Sequence, residues 1–140
     1  MSVLTAFHAD VLIYAAAADH PTGARVAALF PTDAPSIVGI GSVLLLTEVL
    51  AKPMRDDPNS DETAALLSLL SRIELLPVDE AAARLALTLS ITYRLRAADA
   101  VHLASAVAAG ADRFLTDNRK DFPRAITEID VVYPDDLPAR

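Results

Sequence analysis

Hydrophobic and polar positions change period repeatedly along this chain, dividing it into short strands alternating with helices. Val3 to Phe7 is short, β-branched and aromatic and predicts a first strand, which His8-Ala9-Asp10 ends. The alanine-rich run Val11 to Ala18 predicts a helix. After the turn Asp19 to Thr22, Thr22 is expected to cap a helix to about Phe30, with Val26, Leu29 and Phe30 on its apolar face. Pro31 to Pro35 is a breaker cluster, and Ser36 to Ile40 predicts a second strand.

Ser42 is expected to cap the next helix, which Pro53 should end. Its run Val43 to Ala51 is apolar on nearly every side, so burial is expected. Ser60, followed by Asp61 and Glu62, starts a helix to about Ser71, because acids suit a helix N-terminus. Ile73 to Val78 predicts a third strand, and Asp79 caps a helix reaching about Tyr93. A further helix carries Asp99 and stops at Gly110. Ala111 to Thr116 and Ile129 to Tyr133 predict strands four and five, separated by the polar turn Asp117 to Pro123, and the tail after Pro134 is expected to fray. Strands alternating with helices imply an α/β fold in three layers, with a central, mostly parallel sheet of about five strands.

The pattern leaves two anomalies. Glu48 and Asp99 are single carboxylates in apolar helices with no obvious cation in their own helix. Unpaired buried charge is costly, so one pocket in which both acids face a metal ion is the economical arrangement. His8 and Asp10 after strand one, and Asp117 and Asn118 after strand four, fall at the carboxyl ends of strands, where ligands gather in such sheets. An oxygen-rich cluster suits Mg²⁺ or Mn²⁺, which activate water and stabilise charge on a phosphodiester.

Composition narrows the rest. At 140 residues, 53% hydrophobic, one domain with a sizeable core is expected. Having no cysteine, the chain excludes disulfides and thiol catalysis. No basic leader opens it and charges break every apolar run, so a cytoplasmic protein without a membrane span is expected. A net charge of −7 argues against coating nucleic acid by bulk positive charge. Yet six of the twelve basic residues flank the acid motifs: Lys52, Arg55, Arg94, Arg96, Arg119 and Lys120. They stand where a phosphate backbone would need them, and equally where solvated helix ends would.

Four segments together, His8-Ala9-Asp10-Val11-Leu12-Ile13-Tyr14, Leu46-Thr47-Glu48-Val49, Ala98-Asp99-Ala100-Val101-His102-Leu103-Ala104 and Phe114-Leu115-Thr116-Asp117-Asn118, resemble the PIN domain family, particularly VapC-type toxins of bacterial toxin–antitoxin pairs. The resemblance covers nearly the whole chain and implies a metal-dependent endoribonuclease, often a homodimer held by a small antitoxin. It implies Asp10, Glu48 and Asp99 as metal ligands with Asp117 as a further catalytic acid. His8, Thr116, Asn118 and Asp121 stand as auxiliary candidates, and Lys52, Arg55, Arg96, Arg119 and Lys120 as RNA-positioning candidates.

Two positions depart from the family pattern. An aspartate is usual where His8 stands, with a small polar residue at Asp10. Positions 8 and 10 share one side of an extended segment, so Asp10 is expected to replace the missing carboxylate, with His8 as auxiliary ligand or base. Asn118 stands where Thr-x-Asp is common. A PIN fold that has lost catalysis and binds RNA or protein is therefore the competing reading. Asp10 and Asp117 are also ordinary turn residues, and His102 suits a packed core histidine. A receiver domain would want a late lysine, and Lys120 in its acidic turn fits that role poorly.

Overall fold

The computed structural model describes residues 3–17 and 19–139. Five strands, β1 (Thr5–Phe7), β2 (Gly39–Ser42), β3 (Ile73–Leu76), β4 (Arg113–Leu115) and β5 (Asp130–Val132), form one sheet in the order β3-β2-β1-β4-β5. Every pairing is parallel. Six helices connect them: α1 (Ala9–Ala16), α2 (Pro21–Ala27), α3 (Leu45–Asp56), α4 (Asp61–Leu70), α5 (Glu80–Tyr93) and α6 (Ala97–Ala108). The expected α/β architecture with a five-stranded parallel sheet is the one observed.

Chain order runs outward from β1 through β2 to β3, then crosses back to β4 and β5. Right-handed crossovers in opposite directions place their helices on opposite faces. The core divides accordingly. Phe7, Val11, Leu12, Val26, Leu45, Val49, Leu66 and Leu115 pack with α1 to α4 on one face. Ala6, Leu89, Leu103, Phe114, Phe122 and Ile126 pack with α5 and α6 on the other. Neighbours Ala6 and Phe7, like Phe114 and Leu115, go to opposite cores, as the two-residue side-chain period requires. The winding direction reverses between β1 and β4, so the seam between the halves lies at their carboxyl ends.

Several local expectations are corrected. β2 begins at Gly39 rather than Ser36, because the Arg72 guanidinium takes the Ala34 and Ser36 carbonyls and keeps that stretch out of the sheet. His20, not Thr22, caps α2: its Nδ1 accepts the Gly23 N–H, with Pro21 opening the helix. The expected end of the first helix at Ala18 lies outside the described residues. α3 is not buried all round; Leu45, Val49 and Leu50 face the core, while Leu46, Thr47 and Glu48 face outward. Pro53 lies inside α3, which runs on to Asp56. The tail is fixed, not frayed, from Pro134 to Leu137: Pro134–Asp136 forms a 3-10 turn, Asp136 accepts from the Tyr133 N–H and from Arg124, and Leu137 is buried. Ser60 and Asp79 cap α4 and α5 as expected.

Candidate active site

The acid-bearing segments reach the seam from both faces. β1 ends at Phe7, paired with Leu115 of β4, so His8 and Thr116 leave the sheet side by side. The His8 N–H donates to the Leu115 carbonyl at 3.0 Å. Asp10 does not lie on an extended segment, as the sequence suggested, but in the first turn of α1, where a carboxylate suits the helix dipole. It still turns back to His8.

The His8 ring is buried, only 6% exposed, with the Phe114, Phe122 and His102 rings packed around it at centroid distances of 5.7, 5.0 and 5.4 Å. Its Nδ1 lies 3.1 Å from Asp10 Oδ1 and 3.0 Å from Thr116 Oγ1; its Nε2 lies 3.0 Å from Asp99 Oδ1. Both nitrogens thus face carboxylates, which suits an imidazolium with two N–H donors. Burial alone lowers the His8 pKa, but the hydrogen bonds to Asp10 and Asp99 outweigh it and raise the value to about 9. The reciprocal hydrogen bond from His8 holds the Asp99 carboxyl below its ordinary range, against the opposing pull of burial.

Asp10 is fixed on its other oxygen. Oδ2 accepts the Asp117 N–H at 3.0 Å and the Thr116 O–H at 3.3 Å. Thr116 Oγ1 in turn accepts the Asn118 N–H at 3.1 Å. Asn118 closes the following turn with Asp121: its Nδ2 donates to Asp121 Oδ2 at 2.9 Å, and its Oδ1 accepts the Asp121 N–H. Burial, together with nearby Asp10, pushes the Asp117 carboxyl upward.

Glu48 meets the seam from α3 by pairing with His102 Nε2 on α6. Burial keeps the His102 pKa low despite this carboxylate. His102 Nδ1 and Ser105 Oγ are buried without hydrogen-bond partners among the described residues. The signal for His102 was its spacing: three residues after Asp99, it shares that face of α6. The sequence reads His20 as a surface turn residue and gives Tyr14 no role of its own, yet their rings stack on one another with centroids 4.4 Å apart.

The structure therefore brings Asp10, Asp99 and Thr116 onto His8, with Asp117 beside Asp10, and puts Glu48 one imidazole further on. A divalent cation fits this donor set in kind: clustered carboxylates with an adjacent imidazole call for positive charge. Among the described residues, no group of three or more His, Asp or Glu side chains is arranged to hold a metal ion. Of the basic candidates, Lys52 and Arg55 approach Asp56, and Arg119 pairs with Asp135 while lying over the Tyr133 ring. Arg96 and Lys120 are exposed and make no ion pair among the described residues.

The family profile described as PIN domain matches residues 9–126. No curated protein matches the chain. Among solved structures, a chain of a toxin–antitoxin complex from Klebsiella pneumoniae superposes with a TM-score of 0.72 at 22% identity, covering 95% of this chain and 98% of that one. At that identity the likeness is one of fold.

Proposed function

Because this chain belongs to the PIN domain family, whose members are generally nucleases, we propose that it is a metal-dependent endoribonuclease, the toxin of a toxin–antitoxin pair, hydrolysing RNA phosphodiester bonds. The observation that carries this reading is the convergence of Asp10 and Asp99 on His8, with Glu48 on neighbouring His102, at the carboxyl ends of β1 and β4. Asp10, Glu48 and Asp99 would hold Mg²⁺ or Mn²⁺, which when bound supplies water activation and stabilises charge on the phosphodiester.

The chain's own residues do the positioning. His8 sets the separation of Asp10 and Asp99, and the Thr116 hydroxyl and Asp117 N–H fix Asp10 from the opposite side. Burial, then nearby Asp10, raises the Asp117 carboxyl pKa, which suits it to carry a proton beside the cluster. Exposed Arg96 and Lys120 would meet the RNA backbone. An apolar groove lined by Leu46, Leu50, Ala51 and Met54 on α3, beside Glu48, suits an amphipathic antitoxin segment. Exposed Leu87 and Ile91 on α5 suit a second copy of the chain. The test is purified, antitoxin-free protein with structured RNAs and Mg²⁺ or Mn²⁺. Cleavage that Asp99→Asn abolishes is expected; no cleavage with either ion removes the enzyme.

One observation favours a second reading, a PIN fold that binds RNA or protein without cutting. His8 stands where the family's usual aspartate would, and its ring spans Asp10 and Asp99 as a cation would. Cleavage created by His8→Asp in an otherwise inactive protein would establish that reading.

A further inference from the structure

One aromatic pair beside the acid cluster has no part in the chemistry above. Tyr14 lies one helical turn after Asp10 on α1, so the two share a face. Its ring stacks on His20 with centroids 4.4 Å apart and planes 13° from parallel. Both residues are half-buried, so part of the stack is open to solvent.

The pair sits at the junction of α1 and α2. His20 Nδ1 accepts the Gly23 N–H, which fixes the imidazole as the cap of α2. Gly23 lets α2 press against α1: a Cβ there would stand 1.9 Å from the Tyr14 carbonyl oxygen. Asp10 and Asp117 lie near enough to Tyr14, after burial, to raise its phenol pKa, and His20 is near enough to Asp117 to oppose that acid's upward shift. A stacked, partly exposed aromatic pair therefore stands near Asp10 and Asp117. Such surfaces hold bases in single-stranded nucleic acid, because every base has a π face and a rigid platform gives up little entropy on binding.

We infer that Tyr14 and His20 form a stacking platform for one unpaired RNA base, seating the strand with its phosphate over the acid cluster. This rests on the ribonuclease reading and adds the two residues that receive the base. Side-chain stacking tolerates any base, so the platform selects an unpaired nucleotide rather than a sequence.

The test compares binding of a single-stranded RNA dodecamer with an abasic dodecamer of the same length, using EDTA-treated protein. The wild-type chain should hold the base-bearing strand roughly tenfold or more tighter, the scale of one stacked base. Tyr14→Leu keeps apolar bulk without a ring, and His20→Asn keeps the cap acceptor without a ring. Each should erase the gap and leave abasic binding unchanged, with folding checked by thermal melting. A pair that merely clasps α1 to α2 would lower the melting temperature and leave the gap intact, which overturns the platform. Equal binding of both strands by the wild-type chain overturns it as well. Parallel cleavage assays separate the two claims: cleavage without a base-dependent gap removes only the platform, and a ring-dependent gap without cleavage sustains the platform and removes the nuclease.

Discussion

His8 Nε2 lies 3.0 Å from Asp99 Oδ1, joining the end of β1 to the first turn of α6 across 91 residues of chain. With Nδ1 on Asp10, the ring acts as a positive bridge between two acids. In metal-free protein this links stability to pH. The unfolded imidazole titrates near 6.5 and the folded one near 9. Between these values the folded chain keeps a proton that the unfolded chain loses, so stability is full below about 6.5 and falls as pH rises through about 9. Thermal melts of EDTA-treated protein from pH 6 to pH 10 should show this decline, and His8→Ala should flatten it.

Metal entry competes with that proton, because ligands bind deprotonated. An imidazole ligand also favours a nitrogen-tolerant ion. Cleavage should therefore run faster with Mn²⁺ than with Mg²⁺, and His8→Asp should narrow the difference. Equal rates with both ions in the wild-type chain, unchanged by His8→Ala, would count against the imidazole as a ligand.

Loss of Asp99 removes a carboxylate on which the proposed chemistry depends and leaves His8 with Asp10 alone. Asp99→Asn should lower the cleavage rate by about 100-fold or more, the scale of a positioned catalytic group. Its melting temperature, measured alongside, should remain that of a folded protein.

Gly23 is buried where α2 touches α1. With a Cβ at 1.9 Å from backbone oxygen, no side-chain rotation relieves the clash. Gly23→Ala should destabilise the chain by about 1–3 kcal/mol, the range for overpacking. Denaturant unfolding would check this, and an unchanged midpoint would show that the helices separate freely.

The fold was largely legible because its elements carry local punctuation. Ser60 and Asp79 announce α4 and α5, and the polar breaks separate five strands whose neighbours the parallel rule then arranges. The misreadings share a cause: tertiary partners outcompeted local preference. Arg72 withholds Ser36 from β2, and Asp136, by bonding Tyr133 and Arg124, fixes a tail that composition made look loose. Glu48 looked buried because nearly every neighbour is apolar, but only contact with the sheet decides which face of α3 turns inward. At the site, Glu48 and Asp99 were visible as anomalies against apolar runs, and Asp10 and Asp117 by their place after strands one and four. Their imidazole partners were less so, since pairing His102 with Glu48 requires opposite faces of the sheet to meet.

The acids of the seam are divided between the two packed halves: Asp10 and Glu48 arrive with α1 and α3, Asp99 with α6. Parting the two halves would therefore separate Asp10 from Asp99, which His8 now bridges. The spacing of the cluster is set by how the layers pack on the sheet, not by any single loop.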